Sequence, residues 1–434
     1  MSELKAKLWN EGGSALHPKI SEYIFSPQLC EDRKLLKYDI LASKSHAKML
    51  ANIGIFTPDE LEKIIKTLGE IDALGGDFNL AGFEDIHSAI ENYLTEKLGD
   101  LGKKIHTGRS RNDQVLTAMR LFTIAEMQKI CENIKELAKK IAEFAIKYEF
   151  IPMPGFTHMQ HAMPSSVGQW AGAFLESLLN DLHCIHAGTR LINQNPLGSA
   201  AGFGTSFPLD RNFTTKDIGF EKTMINSLFC QNSRGKFEIF AISCLSQVML
   251  TLEKMANDII IFCSQEFRFF TASNAITTGS SIMPQKRNLD AMEVMRGKSA
   301  KIFANLSQMT VLCHNLISGY NKDLKFSKSA IMESLEIADS SLKIMEITME
   351  NLSPNEEILH QTFAKDSTIF ATDVANNLVI HQGMSFRDAY HMVKNNLAQL
   401  ENINPVENIK SKTHIGATGN LMIHEILQEI LKIC

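Results

Sequence analysis

The feature that most constrains this chain is a long, regular spacing of apolar residues. Met127, Ile130, Ile134, Leu137, Ile141, Phe144 and Tyr148 follow one another in alternating steps of three and four. That spacing puts them on one stripe of a single long helix. Further long helices are predicted at about 166–192, 236–265, 291–317 and 328–352. In the second of these, Phe237, Ile239, Phe240, Ile242, Leu245, Val248, Met249, Leu250 and Leu252 wrap much of the circumference. A helix apolar nearly all round has to be buried among other helices, here expected to include those of other subunits. Ala171, Gly172 and Ala173 are small enough to allow close helix contact. Alternating strand patterns are nearly absent, so the expected fold is all-α with a long-helix bundle at its centre. Pattern changes near 108 and 360 divide it into an N-terminal helical domain (1–108), a central bundle domain (109–360) and a C-terminal helical domain (361–434).

Composition narrows the function classes. A chain of 434 residues can bury a large core and hold more than one domain. A net charge of −5 argues against a general nucleic-acid or anionic-membrane binder, so an anionic substrate would need a locally positive pocket. The eight cysteines are scattered without a C-x-x-C spacing, which reads as reduced thiols in a cytoplasmic protein rather than a disulfide frame or zinc site. The opening segment MSELKAKLWNEGG lacks the apolar stretch of a secretory signal. The longest apolar run, Ile259 to Cys263, is too short to span a bilayer.

Between the helices lie polar segments rich in glycine and proline: 105–114, 152–166, 194–211, 271–288 and 318–328. Loops carried on rigid helices are where sites are usually built. One of them reads Thr278-Gly279-Ser280-Ser281-Ile282-Met283-Pro284-Gln285-Lys286-Arg287-Asn288. Around an anion, such a loop can offer backbone N–H groups, hydroxyls and an ammonium together. A short Ser/Gly/Lys segment taken alone would more often be a solvated surface loop. This one, however, resembles the signature of the fumarate lyase superfamily, G-S-S-x-M-P-x-K-x-N, at every fixed position.

Other segments resemble the argininosuccinate lyase family of that superfamily. They are His106-Thr107-Gly108-Arg109-Ser110-Arg111-Asn112-Asp113-Gln114-Val115, Gly155-Phe156-Thr157-His158-Met159-Gln160 and Glu84-Asp85-Ile86-His87. Asn195 to Gly202, Ser318 to Leu324 and Ala371-Thr372-Asp373 follow in the family's order, so the resemblance covers nearly the whole chain. It implies a three-domain fold, a homotetramer built on the central bundles, and active sites that each take residues from three subunits. It also implies elimination of arginine from argininosuccinate to give fumarate, with no cofactor. The spacing of His, Cys and carboxylates offers no metal set, and no Gly-rich nucleotide loop follows a strand.

The proton lost in such a reaction is α to a carboxylate and weakly acidic, so the doubly charged aci-carboxylate needs fixed positive charge and donors. By resemblance Ser280 is the base, Lys286 and Asn288 bind the aci-carboxylate, and His158 protonates the leaving nitrogen with Glu293 holding its imidazole. Ser110, Arg111, Asn112 and Thr157 would hold the carboxylates of the fumarate half. Asp85, His87, Arg234, Tyr320 and Lys328 match positions that recognise substrate or line the site. The chain departs from the family at Trp9-Asn10-Glu11-Gly12-Gly13, which lacks an arginine, and at Gln28, Lys325 and Leu289. Gln28 and Lys325 fall where the guanidino-amino-acid half would bind. The competing readings are a sister lyase releasing another amine from an N-substituted aspartate, adenylosuccinate lyase included, and an inert structural member, which should have lost Ser280, His158 or Lys286.

Overall fold

In the computed structural model the stripe from Met127 to Phe144 lies on one helix, Arg111–Lys147, and every residue of it is buried. The structure describes His17, Lys19, Ile20, Tyr23 and residues 29–433. The departures at Trp9–Gly13 and Gln28 lie outside the described residues. The helices of ten residues or more are α1 (Leu29–Asn52), α2 (Pro58–Leu74), α3 (Ile86–Leu98), α4 (Arg111–Lys147), α5 (Val167–Ile192) and α6 (Lys236–Phe262). They continue with α7 (Asp290–Leu312), α8 (Ser327–Glu350), α9 (Glu356–Lys365), α10 (Ala371–Gln382), α11 (Phe386–Asn395) and α12 (Ile423–Lys432). The all-α expectation holds.

The helix ends follow local chemistry. Before α2, Thr57 accepts from the Glu60 N–H while the Glu60 side chain accepts from the Thr57 N–H, with Pro58 at the first helical position. This reciprocal pairing satisfies donors the helix cannot satisfy itself. α4 begins the same way: Ser110 Oγ accepts from Asn112 N–H, and Asp113 returns to Ser110 N–H at 2.9 Å. α7 stops at Leu312, short of the expected 317, and just beyond it Asn315 adopts φ 59°. Asparagine is a common left-handed terminator.

Among the described residues there are three small two-stranded pairs. β1 (Pro152–Thr157) and β2 (Gln160–Ser166) form an antiparallel hairpin where an irregular loop was expected. β3 (Gln194–Asn195) pairs in parallel with β4 (Lys222–Thr223), and β5 (Phe270–Ala272) antiparallel with β6 (Leu352–Pro354). The prolines at 152, 154 and 164 and a bulge between Pro154 and Phe156 hide the alternation that would have marked β1 and β2 as strands.

Two compact units are formed by interleaved stretches of chain. The first takes Met1–Gln128, Ala187–Ser243 and Ala304–Leu335; the second takes Lys129–His186, Cys244–Phe303 and Glu336–Cys434. In the first unit, Leu36, Ile40, Leu50, Ile64, Leu68, Ile71, Ile86, Ile90 and Leu94 of α1, α2 and α3 make one core. Each such side chain contributes about 1.5–3 kcal/mol on burial. In the second unit, rings of Phe144, Trp170, Phe262 and Phe270 meet at centroid distances of 5.0–6.3 Å. By length and composition α6 is apolar enough to cross a membrane, despite the short run at its end. Ala241, Ile242, Leu245, Val248, Met249, Leu252, Met255, Ala256 and Ile259 of that helix are all buried within the chain, as in a core helix.

Candidate active site

In the first unit the segment from His106 to Val115 leads into α4, whose start favours negative ligands through the helix dipole. Ser110, Arg111 and Asn112 are half-buried there. Arg111 reaches back to the turn before α3, with Nη1 3.2 Å from Glu84 and 3.7 Å from Asp85. Asp85 caps α3 by accepting from the Ser88 N–H and hydroxyl, both at 2.7 Å. Burial alone would raise the Asp85 carboxyl, but His87, Arg111 and the Ser88 donors outweigh it and lower its pKa. Arg234 donates to the Asn112 carbonyl at 3.4 Å, and its guanidinium lies 4.7 Å from the Tyr320 ring centroid. Burial pushes the Tyr320 hydroxyl up, with Glu84 and Asp85 adding to it and Arg234 opposing. Lys328 forms a 2.6 Å ion pair with Asp32, whose second oxygen accepts from the Ile86 N–H at the start of α3. Asp85, His87, Ser110, Arg111, Asn112, Arg234, Tyr320 and Lys328 are therefore all carried by this unit.

Several residues that brace these groups had no expected role. Asp113 is fully buried and accepts from the N–H groups of Ser110, Gly198 and Ala200, each at 2.9 Å. Burial dominates and pushes its pKa up to about 6 despite those bonds and Arg109. It ties the start of α4 to the loop after β3. Arg120 donates to the Gln194 carbonyl and the Ser233 hydroxyl, anchoring the backbone next to Arg234. Asp113 stood inside a quoted motif, so the available signal was its place as a capping partner of Ser110. Asp32 stands in the charged run Glu31-Asp32-Arg33-Lys34 and Arg120 in an apolar stretch, weaker signals that the sequence did not resolve.

In the second unit the hairpin turns at His158 and Met159, with φ 52° and 63°. Thr157 pairs with Gln160 across them, so this is a two-residue turn with both residues left-handed. Glycine or asparagine normally occupies such positions, and each other residue there costs about 1–2 kcal/mol. The hairpin is held by Phe156, whose ring meets those of Phe262, Phe267 and Phe269 at 6.0–6.3 Å. Thr157 and His158 are consequently exposed at the tip of an anchored element.

The loop carrying Ser280 is pinned at both ends. Thr271 and Ser273 bond to Ser353 and Asn351 beside β5 and β6. Thr278 and Asn288 exchange two backbone hydrogen bonds, at 2.9 and 3.0 Å, closing the neck. Within it, half-buried Ser280 accepts at Oγ from the N–H groups of Met283 (3.2 Å) and Ile282 (3.4 Å). Lys286 is exposed on the turn that follows, and Glu293 is exposed in the first turn of α7. Among the described residues, no hydrogen bond or ion pair joins His158 to Glu293 within the chain. No group of three or more His, Cys, Asp or Glu is placed to hold a metal among those residues.

The long helices thus carry a polar helix start at Ser110–Asn112, a left-handed turn at His158 and Met159, and a loop bearing Ser280 and Lys286. A family model described as Lyase matches residues 17–304. Argininosuccinate lyase of Phocaeicola vulgatus is 40% identical over 420 residues, covering 96% of this chain and 92% of that protein. Argininosuccinate lyase of Thermotoga neapolitana is 39% identical over 393 residues, covering 90% and 98%. The fold matches that of an EDDS lyase solved with formate (TM-score 0.82, 22% identity, 96% of this chain and 90% of that one). It also matches a class II fumarase from Schistosoma mansoni (TM-score 0.74, 16% identity, 99% and 96%). The chain belongs to the argininosuccinate lyase family of the fumarate lyase superfamily.

Proposed function

We propose that this protein is an argininosuccinate lyase, a carbon–nitrogen lyase that converts argininosuccinate to arginine and fumarate. The observation that carries the reading is the 40% identity across 96% of the chain to a protein of that name. Ser280, His158 and Lys286 are all present in this sequence. In this reading Ser280, as its alkoxide, takes the Cβ proton. The two N–H groups that Ser280 Oγ accepts support it, because they favour negative charge on that oxygen. The electron pair left on Cβ delocalises into the adjacent carboxylate, which Lys286 and Asn288 stabilise. Collapse of that aci-carboxylate expels the nitrogen, His158 delivers a proton to it, and Glu293 supports the imidazolium. Ser110, Arg111, Asn112 and Thr157 hold the fumarate carboxylates, while Asp85, His87, Arg234, Tyr320 and Lys328 shape the rest of the site.

The same proposal includes the three domains divided near 108 and 360, a cytoplasmic setting and a homotetramer with shared sites. Apolar side chains left exposed on the long helices support assembly: Leu250 (45%), Val294 (56%), Val311 (71%) and Ile347 (47%). A sister lyase releasing a different amine is the second reading, favoured by Lys325 where the family has glutamine. The test is the rate of fumarate formation, followed by its ultraviolet absorbance, with argininosuccinate and with adenylosuccinate as substrates. Fumarate from argininosuccinate alone supports the proposal, and its absence there overturns it.

A further inference from the structure

α1 carries three polar side chains on one buried face. Asp39, Ser43 and His46, spaced four and three residues apart, are each fully buried. All three turn toward the segments that build the site. His46 Nε2 lies 3.0 Å from the Thr107 carbonyl. Arg109 donates to Ser43 Oγ at 2.9 Å. Asp39 is the centre of the group. Its Oδ2 lies 2.8 Å from His87 Nδ1, and its Oδ1 accepts from Gln114 Nε2 at 2.9 Å and from Ser43 Oγ at 3.4 Å. Gln114 also reaches Oδ2 at 3.1 Å. His87 is 2% exposed, and its other ring nitrogen, Nε2, is buried without a hydrogen-bond partner. A buried ring nitrogen with no partner costs about 1–3 kcal/mol, which a hydrogen bond to a ligand atom would offset.

We propose that Asp39 is a positioning residue of the active site, holding His87 with Nδ1 protonated so that Nε2 is presented to the substrate. This rests on the lyase reading above, which puts His87 in the substrate site. Every other contact of Asp39 supports the assignment. Burial opposes its ionisation, but His87, the charge of Arg109 and the amide of Gln114 outweigh that and lower its pKa. Asp39 is therefore a carboxylate, an acceptor only, and the Nδ1 facing it must be the donor. The charged group facing His87 besides Asp39 is Asp85, whose carboxylate is also stabilised by it.

The hydrogen bonds also dictate what Asp39→Asn does. Gln114 reaches both oxygens, but Ser43 donates to Oδ1 alone, so the substituted amide keeps its oxygen there and turns its NH₂ toward His87. The imidazole must then accept at Nδ1 and carry its proton on Nε2, the reverse tautomer. Nitrogen-15 spectra of histidine-labelled enzyme, with His87 assigned by the signal missing from His87→Gln, read this without substrate. The expected result is a protonated Nδ1 in the wild type and an unprotonated one in Asp39→Asn. Nδ1 unprotonated in the wild type, or still protonated in the variant, overturns the proposal. Should Asp39→Asn not fold, the wild-type spectrum and Asp39→Glu, which should keep the proton on Nδ1, decide it.

A kinetic cycle then links the tautomer to turnover. Asp39→Asn should lower kcat/KM roughly ten- to a hundredfold, as such supporting groups typically do. In a His87→Gln background the same change should have no further effect, because Asp39 acts through His87. Independent, multiplying effects would mean a merely structural role. If the wild type releases no fumarate from argininosuccinate, the lyase reading fails, while the tautomer result still stands or falls by itself.

Discussion

Lys328 is expected to touch substrate, yet it is also half of a buried ion pair within the first unit. Its ammonium lies 2.6 Å from Asp32, with side-chain exposures of 12% and 3%. At that distance, with an effective dielectric of about 20, the gross attraction is on the order of 6 kcal/mol. Desolvation of both charges offsets much of it, so the pair contributes little net stability. Removing one partner is different. Lys328→Met leaves a buried Asp32 carboxylate supported by the Ile86 N–H at 3.3 Å. That should cost about 3–5 kcal/mol. Lys328→Met combined with Asp32→Asn removes both charges and should recover most of the loss, giving a coupling of roughly 1–3 kcal/mol. Thermal and denaturant unfolding of the wild type, both single variants and the double variant measure this at matched protein concentration. Repeating it in high salt should change little, because a buried pair is weakly screened. Activity should remain lost in the recovered double variant, separating the ammonium's work on substrate from its structural role. A loss below about 1 kcal/mol for Lys328→Met, or a double variant as unstable as that single one, would refute the reasoning.

Ser280→Ala should lower kcat by at least about a hundredfold with substrate binding retained, whereas Ser281→Ala should be milder; kcat and KM from fumarate release give the ranking. Asp181 is pushed up to about 6 by burial, with the Thr251 hydroxyl opposing. The folded state thus binds more protons than the unfolded one between about pH 4 and 6, and stability falls as pH rises through that window. Asp181→Asn should remove this dependence and gain up to about 3 kcal/mol above pH 7, read from unfolding midpoints against pH. The loop around Lys286 and Arg287 should be cut by trypsin more slowly with fumarate plus arginine present, even though its neck at Thr278 and Asn288 is closed. Equal rates would make it a rigid wall. Mixing an Arg111→Ala sample with a Ser280→Ala sample should restore some activity after subunit exchange, and no recovery counts against shared sites.

Local pattern alone determined that α4 is a helix with one buried stripe, because apolar spacing reports directly which face leaves water. The capping of α4 by Ser110 and Asp113 was equally local, written within four residues. The motif loops also named the candidate reacting groups, since only particular residue types can do that chemistry. The tertiary structure decided what those groups lean on. The hairpin under His158 was hidden by its prolines and bulge, and its left-handed turn persists because Phe156 is seated among Phe262, Phe267 and Phe269. Asp32 meets Lys328 across 296 positions of sequence, and Asp39 meets His87 and Gln114 across 48 and 75. No periodicity encodes such pairings. A buried carboxylate is tolerable only where the folded chain happens to bring its donors, and that depends on the path of every helix between them.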